Sequence, residues 1–419
     1  MRISILVDCY LPSLKCGAKL IHDLGVEFQR QAHDVTILTP SDTISTALQV
    51  TIEDGLRIAR VKTRKIKGTA KVFRAFREVR LSALLWRRAQ QFLLANRADL
   101  IIFYSPTIFF GPLVRRLKSC WRCPAFLILR DIFPQWVVDA GILRKGFIWR
   151  YFRKREIEQY EVADLIAVQS SANLDYFARN FPERHYRLEV LHNWASLDER
   201  DLPSKGYRER LGLQDKVVFF YGGNLGVAQD LDNIIRLAVR LMSYSQIHFL
   251  LVGEGSEFSR LERAISEKNL CNMRILPAVP HHEYISMLSE ADVGLVSLDR
   301  RLKTHNVPGK LLGYMNCGKP VLASINPGND LFEILEEHQA GLCLTNGDDD
   351  NLCAAALKLA NDPELRARMG DNARRLLERL FSVEAAVRQI LKHFHQQATE
   401  VEGIAMMQPA SSSPSAGSF

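Results

Sequence analysis

The 419 residues contain no uninterrupted apolar run long enough to cross a bilayer. The chain does not open on a secretory signal either: Met1-Arg2-Ile3-Ser4-Ile5-Leu6-Val7-Asp8 is too short for one and reads as a first strand, so the expected location is the cytoplasm. Eight cysteines are scattered singly apart from Cys120 and Cys123. That pair has C-x-x-C spacing but lacks the second pair of a four-ligand zinc site, so reduced thiols and no bound metal are expected. The fingerprint G-x-G-x-x-G is missing after the first strand, where Asp8-Cys9-Tyr10-Leu11-Pro12 stands, which argues against an NAD-dependent dehydrogenase. No convincing repeat of about 20–50 residues is visible.

What is present is enough chain for two domains of roughly 180–200 residues each. The net charge of +8 is unevenly spread. Residues 1–190 hold 31 Lys and Arg against 18 Asp and Glu, whereas the remainder holds 24 against 29. A basic first half points to an anionic partner: a membrane face, a lipid phosphate or nucleic acid.

Short β-rich runs recur along the first half at Ile3–Val7, Val35–Leu38, Arg57–Val61, Leu100–Phe103, Ala125–Leu129 and Leu165–Val168. Segments between several of them have helical spacing, such as Leu20, Leu24 and Phe28. The alternation predicts a mostly parallel sheet with helices on both faces. A turn-rich stretch around Asn180–Gly206, with a strand-like island at Leu188–Leu191, marks the boundary. The pattern then restarts with Val217–Tyr221, His248–Val252, Met273–Leu276, Val293–Val296 and Pro320–Ala323 as strands and Leu231–Met242 and Glu257–Lys268 as helices. Helices are expected at Pro363–Leu380 and Glu384–His395. The division expected is 1–190, 191–380, a helix at 381–397 crossing back to the first domain, and a disordered tail at 398–419 rich in Ser, Pro, Gly and Ala near its end.

In open α/β sheets ligands bind beyond the carboxyl ends of the strands. Three such places in the second half stand out. Tyr221-Gly222-Gly223-Asn224-Leu225-Gly226 would let backbone N–H groups approach a diphosphate, although a purely structural turn reads the same way. Val252-Gly253-Glu254-Gly255 permits a sharp turn under a base or ribose. In His305-Asn306-Val307-Pro308-Gly309-Lys310-Leu311-Leu312-Gly313-Tyr314-Met315, Pro308 and Gly309 suit a helix start. Lys310 then falls in a first turn, where a cation is unfavourable unless a phosphate lies nearby.

These residues, in this order, resemble the bacterial family 4 glycosyltransferases: Gly-Gly-Asn-Leu-Gly-x-x-Gln, then Val-Gly-Glu-Gly, then Val-Pro-Gly-Lys-Leu-Leu-Gly-Tyr-Met-x-Cys-Gly-Lys-Pro-Val. The branch most resembled includes fucosaminyltransferases of O-antigen and capsule synthesis. Tyr10-Leu11-Pro12-Ser13 before Gly17, Arg130-Asp131-Ile132-Phe133-Pro134 and His192-Asn193-Trp194 are similar to that group too, so the resemblance spans roughly residues 1–395. It implies an α/β fold of the GT-B type, two Rossmann-like doubly wound domains facing each other across a cleft. It also implies retention of anomeric configuration, no metal and no cofactor, with UDP as the nucleotide. Carried onto this chain, Gly222, Gly223, Asn224, Gln229, Glu254, Val279, Pro308, Gly309 and Lys310 would bind the donor, with Lys310 neutralising the departing diphosphate. Gly17, Arg130 and Asp131 would lie on the acceptor side, Asp131 contacting or deprotonating the acceptor hydroxyl. The chain departs from its relatives at His305 and Gly313, where many have two glutamates, and at Asn224 and Gln229, where many have Arg and Lys.

The activity expected is transfer of a sugar, N-acetylated amino or deoxyamino, from a UDP-sugar to a polyprenyl-diphosphate-linked saccharide of bacterial surface polysaccharide. Two basic, aromatic-laced stretches, Arg57–Arg88 and Lys145–Arg155, would set the first domain on the inner leaflet, with no nucleic acid partner expected. Alternatives are a nucleotide-sugar epimerase of the same fold and a non-catalytic module binding a membrane surface or nucleic acid.

Overall fold

The computed structural model describes residues 1–13, 16–64, 78–139, 143–197, 205–302 and 307–405. Its first sheet contains β1 (Arg2–Leu6), β2 (Asp34–Ser41), β3 (Leu48–Glu53), β4 (Leu56–Lys62), β5 (Leu100–Tyr104), β6 (Ala125–Ile128), β7 (Leu165–Val168) and β8 (Leu188–Val190), in the order β3-β4-β2-β1-β5-β6-β7-β8. All pairings are parallel except that of β3 with β4. β5, β6 and β7 are buried at every position, as strands covered on both faces must be. On one face Leu20, Leu24 and Phe28 of helix Cys16–Arg30 join Ile3, Ile5 and Ile102 in one core. On the other, Leu85 and Leu93 of helix Leu81–Ala95 and Leu113 and Trp121 of helix Gly111–Trp121 pack on Leu6, Ile101 and Phe103.

The second sheet contains β9 (Val217–Asn224), β10 (Ile247–Glu254), β11 (Met273–Pro277), β12 (Val293–Ser297), β13 (Val321–Ile325) and β14 (Gly341–Thr345), all parallel, in the order β11-β10-β9-β12-β13-β14. Strand order reverses between β9 and β12, and between β1 and β5 in the first sheet. Crevices outside the strand ends form at such points.

Every strand expected from an apolar run is present. β3 and β14, both edge strands, were not among those expected. β3 leaves Val50 43% and Ile52 67% exposed, so no buried run announces it. Its turn does: Asp54 and Gly55 hold φ of 50° and 78°, the paired positive values of a tight hairpin.

The chain crosses between domains twice, side by side. Ala195 N–H donates to Phe381 O at 2.8 Å and Val383 N–H to Ala195 O at 3.1 Å. Helix Val383–Ala405 then lies on the first domain, where Val387, Ile390 and Phe394 enter the core around Ile3 and Ile5. This helix runs through the expected tail start at residue 398, and 406–419 lie outside the described residues.

Candidate functional site

The glycines after Tyr221 are the end of β9 rather than a turn: Gly222, Gly223 and Asn224 stay in register with Val252, Gly253 and Glu254 of β10. A side chain at Gly253 would place its Cβ 1.8 Å from Gly223 O, so the two strand ends approach this closely only through glycine. Gly223 holds φ 112° with open space beside it. Gly222 N–H donates to Tyr314 Oη at 3.1 Å, and that phenol donates to Leu295 O at 3.0 Å. Tyr314, fully buried in helix Lys310–Asn316, therefore ties the β9 end to β12 across the switch point.

Asn224 and Gln229 turn to each other. Asn224 Nδ2 donates to Gln229 Oε1 at 3.0 Å, and Gly226 N–H donates to the same oxygen at 3.2 Å. They shape the loop after β9 from within. Glu254 is exposed at the end of β10, its carbonyl accepting from Leu225 N–H at 2.8 Å. Val279, beyond β11, is half-buried against the second sheet's core of Val218, Phe220 and Leu312. Pro308 and Gly309 directly precede helix Lys310–Asn316, Gly309 exposed.

Lys310 Nζ lies 3.5 Å from the centroid of the Tyr221 ring. Part of the residue stays accessible, but burial of its ammonium pushes its pKa down to about 7. The ring faces the cation, while Tyr221 Oη donates to Asn224 O at 2.8 Å. The three tyrosines 221, 284 and 314 line this corner: a Cβ on Gly222 would strike Tyr284. The sequence pattern does not single them out, although Tyr221 precedes the glycines and Tyr314 sits one turn after Lys310. His305 lies outside the described residues. Gly313 stands inside the helix, where an added Cβ would lie 3.6 Å from Leu288 Cδ2, an ordinary contact.

In the first domain, Asp131 follows β6 and is exposed, with its carbonyl accepting from Ser105 Oγ at 3.5 Å. Gly17 opens helix Cys16–Arg30 against Tyr104, whose ring would be 2.9 Å from a Cβ there. Arg130 is not open to an acceptor. It is 8% exposed, donates to Leu191 O at 2.7 Å and His192 O at 3.3 Å, and stacks on Trp194. Those carbonyls belong to the segment leaving β8, so Arg130 grips the connector, a role its neighbour Asp131 does not share. Trp194 completes this anchor by donating from Nε1 to Leu20 O at 2.9 Å.

The stretch Arg57–Arg88 is not one surface helix. Arg57 and Arg60 lie in β4, paired with Asp34 and Glu53, and Trp86 is covered by Arg116. Residues 65–77, with five of its twelve cations and two of its three aromatics, lie outside the described residues. Lys145–Arg155 is different. Helix Phe147–Glu161 leaves Phe147 87% and Ile148 63% exposed, flanked by exposed Arg144, Lys145, Arg150, Tyr151 and Lys154. Among the described residues no helix is long and apolar enough to cross a membrane, and no group of three His, Cys, Asp or Glu side chains is placed to hold a metal ion. Cys123 is buried and its thiol pushed up to about 12, while Cys120 is exposed.

Comparison with known proteins matches each sheet to a family. The model described as Glycosyl transferase 4-like domain covers residues 17–194, and that described as Glycosyl transferases group 1 covers 204–376, the region holding the β9 glycines and Lys310. The chain joins a glycosyl transferase 4-like domain to a group 1 glycosyl transferase domain. WbjE of Pseudomonas aeruginosa, named a probable glycosyltransferase, is 26% identical over 66% of this chain and 67% of its own length. WcaI of Escherichia coli (strain K12), whose name places it in colanic acid biosynthesis, is 24% identical over 57% of this chain. That match spans 60% of WcaI. Among solved structures, Anabaena HepE in complex with UDP superposes with a TM-score of 0.67 at 16% identity, covering 94% of this chain and all of that one. The chain thus has the two-domain GT-B fold.

Proposed function

We propose that the protein transfers an N-acetylated amino or deoxyamino sugar from a UDP-sugar to a polyprenyl-diphosphate-linked saccharide in bacterial O-antigen or related surface polysaccharide synthesis. The observation that carries this reading is the placement of Lys310. Its ammonium is withdrawn from water onto the Tyr221 ring, directly behind the Gly222–Gly223 strand end, and an incoming diphosphate restores its charge. HepE, a structural neighbour, is described with UDP bound, which supports the choice of nucleotide.

In this reading the bond between the anomeric carbon and the diphosphate oxygen breaks as the acceptor oxygen attacks the same face, with retention. Negative charge grows on the leaving UDP, and Lys310 stabilises it; no metal takes part. Preorganised donors of this kind are usually a large part of catalysis. Asp131 receives or orients the acceptor proton from the opposite domain. The exposed Phe147–Ile148 ridge and its basic neighbours hold the protein to the inner leaflet, where such an acceptor resides, each cation contributing about 1 kcal/mol.

A panel of UDP-sugars incubated with extracted lipid-linked intermediates tests this. One UDP-sugar should label a lipid-linked product, and the product should be lost in Lys310→Ala. Release of an epimerised free donor instead would establish the epimerase, and a lack of affinity for any UDP-sugar or for UDP would remove the proposal.

A further inference from the structure

Segments of both domains converge on one imidazole where the chain leaves the first domain. His192 belongs to the first crossing, just ahead of Trp194 and Ala195. Its ring packs on Phe381 of the second crossing, with centroids 4.9 Å apart. The Gln169 carbonyl, at the end of β7, attracts a ring N–H. Beyond β6, Arg130 donates to Leu191 O and to the carbonyl of His192 itself, so the backbone beneath the ring is held. From the second domain Asp330, beyond β13, acts on the ring through its charge while its Oδ2 accepts from Ser171 N–H at 2.5 Å.

This surrounding suits a neutral ring. Nδ1 is buried and has no hydrogen-bond partner among the described residues. Burial lowers the imidazole pKa below its ordinary 6.5; Asp330 opposes the change, Arg130 adds to it, and the Gln169 carbonyl opposes it. The other charged groups on the second crossing have partners elsewhere: Glu378 pairs with Arg374, and Glu384 acts on Arg30. A proton arriving on Nδ1 creates a charged donor at the joint, and the carboxylate acting on that donor is Asp330. Between two ions the Coulomb attraction adds to the hydrogen bond, which a neutral amide such as Ser171 N–H does not offer.

We propose that His192 is a positioning residue for domain closure: neutral, it leaves the Asp330 carboxylate on the Ser171 amide; protonated, it takes that carboxylate onto the connector and releases the first domain from the second. The joined arrangement holds the proton less readily than an exposed histidine does. Closure is therefore fully present above the ordinary 6.5 and weakens as pH falls below it. One proton changes the ratio of closed to open molecules by at most about tenfold per pH unit. The proposal stands apart from the transfer reading, because closure is read without donor or acceptor.

Solution scattering of the full chain without ligand, at about pH 7.5 and about pH 5.5, tests it, since histidine changes charge within this range. The parent should be compact at the higher pH and show a larger radius of gyration at the lower. His192→Gln and His192→Phe, neither of which takes up a proton there, should stay compact at both. Asp330→Ala should be enlarged at both and respond no further to acid. Far-UV circular dichroism on the same samples separates opening from unfolding. A parent of constant radius, an expansion that comes with loss of helix, or a parental acid response in both His192 variants or in Asp330→Ala overturns the proposal.

Discussion

Lys310 is held where its own charge is costly. A lysine in the unfolded chain titrates near 10.5, and in the folded protein burial lowers this one to about 7. Between those values the folded protein binds fewer protons than the unfolded chain, so unliganded stability rises with pH across that window. A diphosphate reverses the preference, because it favours the ammonium. Binding of UDP at pH 8 should therefore take up a proton, measurable by calorimetry in buffers of different ionisation enthalpy, and affinity should decline as pH climbs above 7. Lys310→Met should take up no proton, bind UDP more weakly and melt at a higher temperature than the parent at pH 7. Turnover should fall by about 100-fold or more, as when one donor to a developing anion is removed. A Lys310→Met protein with parental UDP affinity and proton uptake would show that the residue is ornamental to the site.

At the scale of elements, helix Phe147–Glu161 combines an outward ridge with a buried ionic anchor. Glu156 is fully buried, accepts from Arg153 Nη1 at 2.7 Å and from Tyr160 Oη at 2.8 Å, and burial pushes its carboxyl up to about 7. Removing one partner of such a pair leaves the other charge uncompensated, so Glu156→Ala should cost about 3–5 kcal/mol in chemical denaturation. Phe147→Ser with Ile148→Ser touches no core. It should leave the denaturation midpoint in place while reducing sedimentation with anionic vesicles, and parental sedimentation would count against leaflet contact. The ridge was legible in the sequence because its aromatics and cations are contiguous, and so were the central strands, whose apolar runs are buried on both faces. Other features depended on partners distant in the chain. The alternation of Arg57, Arg60 and Lys62 with Ile58 and Val61 marks a strand edged with charge, yet those charges look like a free basic patch until Asp34 and Glu53 are seen beside them. Arg130 reads as an acceptor residue beside Asp131, but its carbonyl partners lie 61 and 62 positions away. Lys310 could be placed in a helix's first turn from sequence; the Tyr221 ring beneath it could not.

The two domains meet through the paired crossings at Ala195 and Ser382, and again on the cleft side. There Ser171 N–H, at the start of helix Ser171–Asn180, donates to Asp330 Oδ2 at 2.5 Å, joining residues 159 positions apart. Asp330 itself opens helix Leu331–Glu337 after β13. A carboxylate on a helix N-terminus is doubly favoured, by the amide it accepts from and by the helix dipole. A hydrogen bond to a charged group is worth about 1.5–3 kcal/mol net, enough to move the ratio of closed to open molecules by about tenfold or more. Asp330→Ala should therefore enlarge the radius of gyration measured by solution scattering. It should also raise the fraction of donor lost to water rather than to acceptor, because an open cleft admits solvent to the reacting bond. Asp330→Asn, which keeps an acceptor atom without the charge, should fall between the two. The contact touches neither the Lys310 helix nor the β9 end, so UDP affinity should change only through the lost closure. If Asp330→Ala scatters like the parent and partitions donor in the same ratio, the bond is incidental to closure and the paired crossings alone set how the domains stand.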